Sequence, residues 1–172
     1  MNVSVIQRFK AFLIDYLLIA GYLLSLMVLT VFIFPSLQSF FQGSLEVSQF
    51  TGFFMVTLPV TIYFAAFDSL GKGQTFGKRK MKIRVVTLDG QKPGLLRSAI
   101  RNLLKFVPWE LSHFLVYRLM VLGNDPVPVF YMVVGGFVYV LMFSYLTTAI
   151  FSKRKQTLYD WVVKPQVVKS SS

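Results

Sequence analysis

Three long apolar runs decide what this chain can fold into. Residues 12–34 carry one charged side chain, Asp15, and residues 50–67 and 127–151 carry none. A helix needs roughly 20 apolar residues to cross a ~30 Å hydrocarbon core, and each run is near or above that length. The 172 residues are therefore predicted to form a single integral membrane domain, 1–172.

A cation-rich segment, 71–105, lies between two of these runs. It holds ten of the eighteen Lys and Arg residues, and its single acid is Asp89. Cytoplasmic loops of membrane proteins carry an excess of Lys and Arg, so we place 71–105 on the cytoplasmic side of the cell (inner) membrane. Membrane topology then accounts for the net charge of +11, and nucleic acid is not an expected partner.

The internal pattern of this loop predicts a basic hairpin followed by an amphipathic helix. Residues 81–87 alternate as a short strand does, and 88–91 are typical of a turn. From 95 to 105 the cations recur every fourth residue on one face, which favours a helix lying in the membrane interface. The loop is expected to contact anionic lipid headgroups. The candidate contacts are Lys78, Arg79, Lys80, Arg97 and Arg101.

The C-terminal tail sets the number of crossings. Residues 152–172 contain five cations against one acid, so the tail is also expected in the cytoplasm. Two regions on one side are joined by an even number of crossings, and 127–151 supplies only one. Residues 106–122 are therefore predicted to supply the other, although they include charged side chains. The alternative has three crossings, with 106–122 lying flat in the interface.

The predicted fold is an all-α membrane protein, a small bundle of about four transmembrane helices with both termini cytoplasmic. The helices are expected over residues 9–34, 50–68, 106–122 and 127–151.

Three motifs, in order along the chain, resemble those of a known family. The sequence RFKAFLID from Arg8 to Asp15 resembles the opening motif of the RDD family of membrane proteins. QTFGKR at 74–79 and IRVV at 83–86 resemble its central loop. QTLYDW at 156–161 resembles its closing segment, in which Asp160 stands in the place of the second signature aspartate. The resemblance implies transport of an ion or a small solute.

Asp15 is the first candidate functional residue. A charged side chain at the centre of a spanning helix costs about 2.5–3.5 kcal/mol on insertion scales, and such residues mark ion paths or buried pairs. Arg8 is seven residues away, whereas side chains on a helix meet at spacings of three or four. The expected partners are instead Arg97, Arg101, His113 or Arg118. Asp15 is either half of a structural ion pair or a carboxylate that binds a cation or proton.

Glu110 and His113 are the second candidate pair, one helical turn apart. If 106–122 spans the membrane, they are intramembrane polar groups that could form a proton relay with Asp15. If it lies flat, they are interfacial side chains. The chain has one histidine and no cysteine, so neither a transition-metal site nor a nucleophile–histidine–acid set is expected. We therefore expect no enzyme activity and no cofactor.

Two functions remain open from the sequence. The first is a small ion or solute transporter of the cation/proton exchange type, working as a homo-oligomer because four short helices enclose little aqueous volume. The second is a non-transporting membrane adaptor or regulator of a partner membrane protein. The basic loop and the interfacial helix motivate the second, because they offer a wide polar surface to protein partners and anionic lipids. The sequence as a whole leans slightly to the first.

Overall fold

The computed structural model describes residues 3–70, 72–152 and 156–170, and in this part of the chain it is mainly helical. The helices are α1 (Val5–Val28), α2 (Gln38–Phe41), α3 (Leu45–Gly52), α4 (Leu58–Ser69), α5 (Phe76–Lys80), α6 (Leu95–Leu122), α7 (Val129–Phe151) and α8 (Leu158–Val163). Two π-helical turns, Leu29–Ile33 and Phe53–Thr57, and a 3-10 turn, Pro35–Leu37, lie between these helices. Two short strands, β1 (Ile83–Val86) and β2 (Gln166–Lys169), complete the described elements. Part of the basic tail, residues 153–155, lies outside the described residues.

Three of the helical segments are long and apolar enough to cross a membrane: Val5–Ile33, Leu45–Ser69 and Val129–Phe151. The three apolar runs of the sequence are thereby confirmed as helices of membrane-spanning length. The first begins at Ser4, whose hydroxyl accepts from the backbone N–H of Gln7 at 3.2 Å. It ends at Ile33, and Pro35 restricts the backbone of the residue that follows the helix, Phe34.

Helix α6 is a single helix of 28 residues, which corrects the expected division at residue 105. Its first turns do not form a separate helix lying in the interface. Ser98, Arg101 and Asn102 are all buried against the rest of the protein. The amphipathic pattern predicted that this cationic face would meet lipid headgroups. Arg101 on this face instead binds two buried carboxylates, so the face packs against the protein.

Helix α6 runs antiparallel along the whole of the Leu45–Ser69 segment. Near one end, the Arg101 guanidinium donates to Asp68 at 3.1 Å. Near the other end, the Arg118 guanidinium donates to the side-chain oxygen of Gln49 at 2.6 Å. Contacts in between follow the same register, with Phe64 against Phe106 and Thr57 against Glu110.

Two prolines lie inside these helices, and each leaves the carbonyl group four residues earlier without its backbone donor. A tyrosine of a neighbouring helix donates to each of these two carbonyl groups. Pro108 has no N–H for the carbonyl of Leu104, four residues earlier, and the Tyr145 hydroxyl of α7 donates to that oxygen at 2.8 Å. Pro59 lies four residues after Met55, whose carbonyl accepts from the Tyr22 hydroxyl of α1 at 2.6 Å. A π-helical turn, Phe53–Thr57, immediately precedes this second proline region. These two bonds tie α1 and α7 to the central helices.

The N-terminus, the basic loop and the tail meet at one end of the bundle, which we call the charged end. Strand β1 pairs antiparallel with β2 of the tail, so the predicted strand is confirmed. The predicted hairpin within 71–105 is wrong, because the strand's partner lies eighty or more residues further along the chain. Val3 packs in the small core that Ile83, Val85 and Val167 form under this sheet. Hydrophobic burial of both strands on one side holds the loop and the tail together.

Candidate functional site

Asp15 is fully buried at the charged end, where three donors surround its carboxylate. The Thr75 hydroxyl donates to Oδ2 at 2.5 Å. The backbone N–H of Gly77 donates to Oδ1 at 2.7 Å, and the Tyr63 hydroxyl donates to the same oxygen at 3.0 Å. Bonds to an ionised acceptor are stronger than neutral ones, so this cradle stabilises the carboxylate without a cation.

The cradle is built by the start of α5. Thr75 is the N-cap of this helix, and its hydroxyl also accepts from the N–H of Lys78 at 3.4 Å. Gly77 lets α5 approach α1 closely, since a Cβ at this position would lie 2.0 Å from the carbonyl oxygen of Ala11. Only a residue without a side chain brings its N–H to Asp15 here.

The prediction that Asp15 pairs with a cation of α6 is wrong. Within the described chain, no ion pair joins Asp15 to Arg97, Arg101, His113 or Arg118. The carboxylate instead caps a short helix of the basic loop. The positive end of the α5 backbone and two hydroxyls supply the stabilisation that a cation was expected to give. The proposed relay from Asp15 to Glu110 and His113 is also not formed, because Glu110 lies against Thr57, further along the bundle.

A chain of buried ion pairs lies beside this cradle. Asp68 binds the ammonium of Lys78 on α5 and the guanidinium of Arg101 on α6. Arg101 also donates through Nε to Asp160 at 2.6 Å, and Asp160 closes the capping box at the start of α8 by accepting from Thr157. Four elements of the fold (α4, α5, α6 and α8) are thus joined by three ion pairs among four charged side chains.

The electrostatic balance at Arg101 follows from these contacts. Burial by itself lowers the pKa of the guanidinium, but the Asp160 carboxylate, the Tyr159 phenolic oxygen and the Asp68 carboxylate raise it above its ordinary value. Burial lowers the pKa of the Lys78 ammonium, and Asp68 opposes this effect. A buried network of this kind is stable only when every member has its partner, and here each carboxylate binds a cation.

Asp68 is the functional-site residue that sequence reasoning did not select. It has no exposed side-chain surface and joins two cations. A signal was present, since an acid at the end of an apolar run beside many cations is an obvious partner for one of them. Which cation it binds depends on how α5 and α6 pack, and spacing along the chain does not reveal it.

Arg8 and Asp160, which belong to the first and the last of the three motifs, act on one another at the charged end. The Asp160 carboxylate attracts the Arg8 guanidinium, and Arg101 repels it. Asp15 is held in its own cradle.

Lys105 places its ammonium among aromatic rings. Its Nζ lies 3.6 Å from the ring centroid of Phe64, 5.0 Å from that of Phe106 and 5.3 Å from that of Phe12. No carboxylate within the described residues lies within ion-pair distance of it. Burial, followed by repulsion from Lys78 and Arg101, lowers the pKa of Lys105 to about 7.

Glu110 occupies the middle of α6, away from the charged end. Its Oε2 accepts from the Thr57 hydroxyl at 2.7 Å and lies 3.9 Å from Nδ1 of His113. Thr57 ends the π-helical turn of the neighbouring helix, and such turns are frequent at functional sites. The Glu110 and His113 side chains are 29% and 31% exposed, so both retain access from outside the chain. In the described residues no group of three potential ligands is arranged to hold a metal ion.

The candidate headgroup contacts divide into two groups. Arg79, Lys80 and Arg97 are exposed at the charged end, as a surface for anionic lipids requires. The expectation for Lys78 and Arg101 is corrected, because both are engaged inside the protein by Asp68. Other exposed cations extend this surface: Lys72, Lys82, Lys92, Lys164 and Lys169.

The comparison with known proteins agrees with this arrangement of motifs. No curated protein and no solved structure matches the chain at a significant level. The model of the RDD family matches residues 3–164, which include α1, the α5 cradle, the β1 strand and the α8 capping box. Because the match covers nearly the whole chain, and the helices are of spanning length and composition, this membrane protein belongs to the RDD family.

Proposed function

We propose that the chain crosses the cell (inner) membrane four times, with α6 as an additional crossing through residues 106–122 and with both termini in the cytoplasm. The support is the antiparallel register of α6 with Leu45–Ser69. The two contacting residues on that segment, Gln49 and Asp68, are separated by roughly 28 Å of helix at 1.5 Å per residue. That length is close to the thickness of the hydrocarbon core, so a partner that follows it also crosses.

Engineered cysteines test this topology, since the native chain contains none. A cysteine replacing Gly123, Asn124 or Asp125 is expected to react with an impermeant maleimide added outside intact cells. A cysteine replacing Asp89 or Lys92 serves as the matched control and is expected to react only after the membrane is opened. Labelling of both sets from the same side would refute the four-crossing arrangement.

Within this topology the protein acts as a transporter that exchanges protons for a small monovalent cation. The observation that carries this proposal is the carboxylate of Glu110, which lies beside the only histidine of the chain at the middle of a crossing. Ionisable groups at such depth are costly and mark ion or proton paths. Their partial exposure fits a pathway completed by a second copy of the chain, so we propose that the transporter is a homo-oligomer.

Flux through proteoliposomes tests the transport proposal. The parent protein is expected to move protons when a gradient of Na⁺, K⁺ or Li⁺ is imposed, and Glu110→Gln is expected to reduce that rate at least tenfold. Glu46→Gln, which removes an exposed carboxylate near the opposite end of the bundle, is the matched control and is expected to keep the parent rate. Absence of cation-dependent proton movement in the parent would refute the proposal.

The exposed cations of the charged end favour a second candidate, an adaptor that binds a partner membrane protein or anionic lipid. This surface has many Lys and Arg side chains that are not used inside the fold. Crosslinking in native membranes is expected to recover one consistent partner if this candidate is correct. Recovery of the protein only with copies of itself would favour the transporter.

A further inference from the structure

The two central segments, Leu45–Ser69 and α6, each carry a proline at the same level of the bundle. Pro59 lies two residues after Thr57, and Pro108 lies two residues before Glu110. Because the Thr57 hydroxyl binds Glu110 and the segments run antiparallel, this spacing brings both prolines to one level. Each proline removes a backbone hydrogen bond, and long helices bend at such positions. Both segments therefore resist bending least at the level that they share.

The backbone just before Pro59 departs further from a regular helix. The π-helical turn Phe53–Thr57 ends at the threonine that binds Glu110. Inside this turn, the carbonyl of Met55 accepts from the Tyr22 hydroxyl of α1. Prolines and π-helical turns are both recognised causes of sharp bends, and here they stand within a few residues of one another.

Buried ion pairs fix the half of this helix pair that lies at the charged end. Arg101 of α6 binds Asp68 of α4 and Asp160 of α8. Asp68 also binds Lys78 of α5. Breaking a buried ion pair is costly, so this half is expected to keep its shape when the segments bend.

The other half, formed by α3 and residues 110–122 of α6, is also closely packed, and we call it the far half. Gln49 accepts from the Arg118 guanidinium at 2.6 Å. Gly52 lets Tyr117 reach the α3 backbone, since an added Cβ would lie 2.6 Å from the tyrosine hydroxyl oxygen. These contacts all lie beyond the two prolines, so the far half can turn as one body.

A hydrogen bond joins the two segments at the level of the prolines. The buried Thr57 hydroxyl donates to Oε2 of Glu110 at 2.7 Å. His113 lies 3.9 Å from the same oxygen, on the same helix as Glu110. A hydrogen bond to an ionised carboxylate is roughly twice as strong as one to a neutral acceptor. The Thr57 bond is therefore strongest when Glu110 carries neither a proton nor a cation.

We propose that Pro59 and Pro108 form one hinge across the central segments, and that the bond from Thr57 to Glu110 is its latch. An ionised, unloaded Glu110 keeps the latch closed. A proton or a monovalent cation on the carboxylate weakens the bond, and the far half then turns about the prolines. Because the loaded carboxylate reorients and the empty one does not, the latch couples the two ions. This inference rests on the proposed cation/proton exchange and names Thr57 as a positioning residue.

Spin labels measure this movement without any transport. The native chain has no cysteine, so Phe32→Cys and Met120→Cys, both at exposed positions, introduce two labels at the end opposite the charged end. The helix that carries Phe32 is the reference, because the cradle of Asp15 ties it to the charged end. A bend of about 20° at Pro108 moves Met120 by roughly 6 Å, since roughly 18 Å of helix separates these residues.

The distance distribution is expected to change when the latch is removed. Thr57→Val deletes the donor and is expected to enlarge a second distance population roughly tenfold, because a hydrogen bond to a charged group is lost. Glu110→Gln is expected to enlarge it less. The matched control is Thr61→Val, whose lost hydroxyl binds the backbone of its own helix, and it is expected to keep the parent distribution. Identical distributions in the parent, Thr57→Val and Glu110→Gln would overturn the inference.

Replacement of the prolines tests where the movement occurs. Pro59→Ala and Pro108→Ala together restore two backbone donors, so in the Thr57→Val background they are expected to remove most of the second population. A second population that persists unchanged would place the movement elsewhere and overturn the hinge.

Proton flux into proteoliposomes separates this inference from the function on which it rests. With N-methyl-D-glucamine as the only cation besides protons and a permeant anion to balance charge, the parent is expected to show little flux. Thr57→Val is expected to move protons at least tenfold faster, because its unloaded carboxylate also reorients, while Thr61→Val follows the parent. Thr57→Val flux that still requires Na⁺, K⁺ or Li⁺ overturns the latch and leaves the transporter intact. No flux in the parent with any of these cations refutes the exchange function itself, whatever the spin labels show.

Discussion

The bond from Tyr145 to the carbonyl of Leu104 gives the sharpest test of how this bundle is held together. Pro108 removes the N–H that would normally bind this oxygen, and the tyrosine of α7 replaces it at 2.8 Å. Tyr145→Phe keeps the ring, which packs edge-to-face on Tyr159, and deletes only the donor. The structure therefore predicts that the hydroxyl stabilises the protein because the proline is present.

The expected loss of stability in Tyr145→Phe depends on whether the Leu104 carbonyl keeps a hydrogen-bond donor. An unsatisfied buried acceptor costs about 1–3 kcal/mol in soluble proteins. Hydrogen bonds between helices in membranes average about 0.6 kcal/mol and reach about 1.7. Since this oxygen has no other donor at its helical position, we expect Tyr145→Phe to lower the free energy of unfolding by about 1–1.5 kcal/mol, near the upper end of the membrane range.

A double-mutant cycle isolates this contribution. Pro108→Ala restores a backbone N–H that can bind the Leu104 carbonyl within α6, so Tyr145→Phe in that background is expected to cost close to nothing. Unfolding in mixed micelles with increasing SDS, followed by circular dichroism, measures all four proteins. Tyr139→Phe, at an exposed position of α7, is the control and should be neutral in both backgrounds. An equal loss from Tyr145→Phe with and without Pro108 would refute the explanation.

Two further predictions concern the charged end. Gly77→Ala moves α5 away from α1 and breaks charge-assisted bonds to Asp15. We therefore expect the free energy of unfolding to fall by about 3 kcal/mol. Helix propensity alone would favour alanine by about 0.5–1 kcal/mol. Gly136→Ala in α7, where a Cβ meets nothing within 4 Å, is the control and should be neutral or stabilising in the same SDS titration; a stabilised Gly77→Ala would contradict the close approach. Asp68→Asn leaves Lys78 without its carboxylate, while Arg101 keeps Asp160, and it is expected to cost about 3–5 kcal/mol. Partial recovery is expected on adding Lys78→Met; no recovery would mean that Lys78 is not left unpaired.

Periodicity and charge were sufficient to locate the apolar segments. Each of the three apolar runs is a helix of spanning length, and the strand in the basic loop also lies where alternation placed it. These features depend on local composition, so a linear pattern carries them. The predicted hairpin is wrong because the partner of a strand depends on burial between distant parts of the chain. Strand β1 pairs with β2 of the tail, which no local pattern reveals.

The partners of the buried charges lay beyond the reach of the sequence. Asp15 was expected to bind a cation, whereas the N-terminus of a short helix with Thr75 and Gly77 meets the same electrostatic need. Arg101 was placed at the lipid surface because its spacing matched an amphipathic face, yet two carboxylates hold it inside. A carboxylate accepts hydroxyl, amide and cationic donors alike, so its residue type does not reveal which donor it meets.

By itself, the sequence of this protein determined that it is a membrane protein, where its apolar helices lie and, through three motifs, its family. The length and composition of an apolar segment are local properties of the chain, so they can be read from the sequence without knowledge of the fold. Only the tertiary structure decided that α6 follows its neighbour from end to end, that tyrosines replace the donors lost at two prolines, and that the half-buried Lys105 ammonium lies among rings. These outcomes depend on which faces meet in space, because burial makes each unpaired polar group expensive and packing alone supplies its partner.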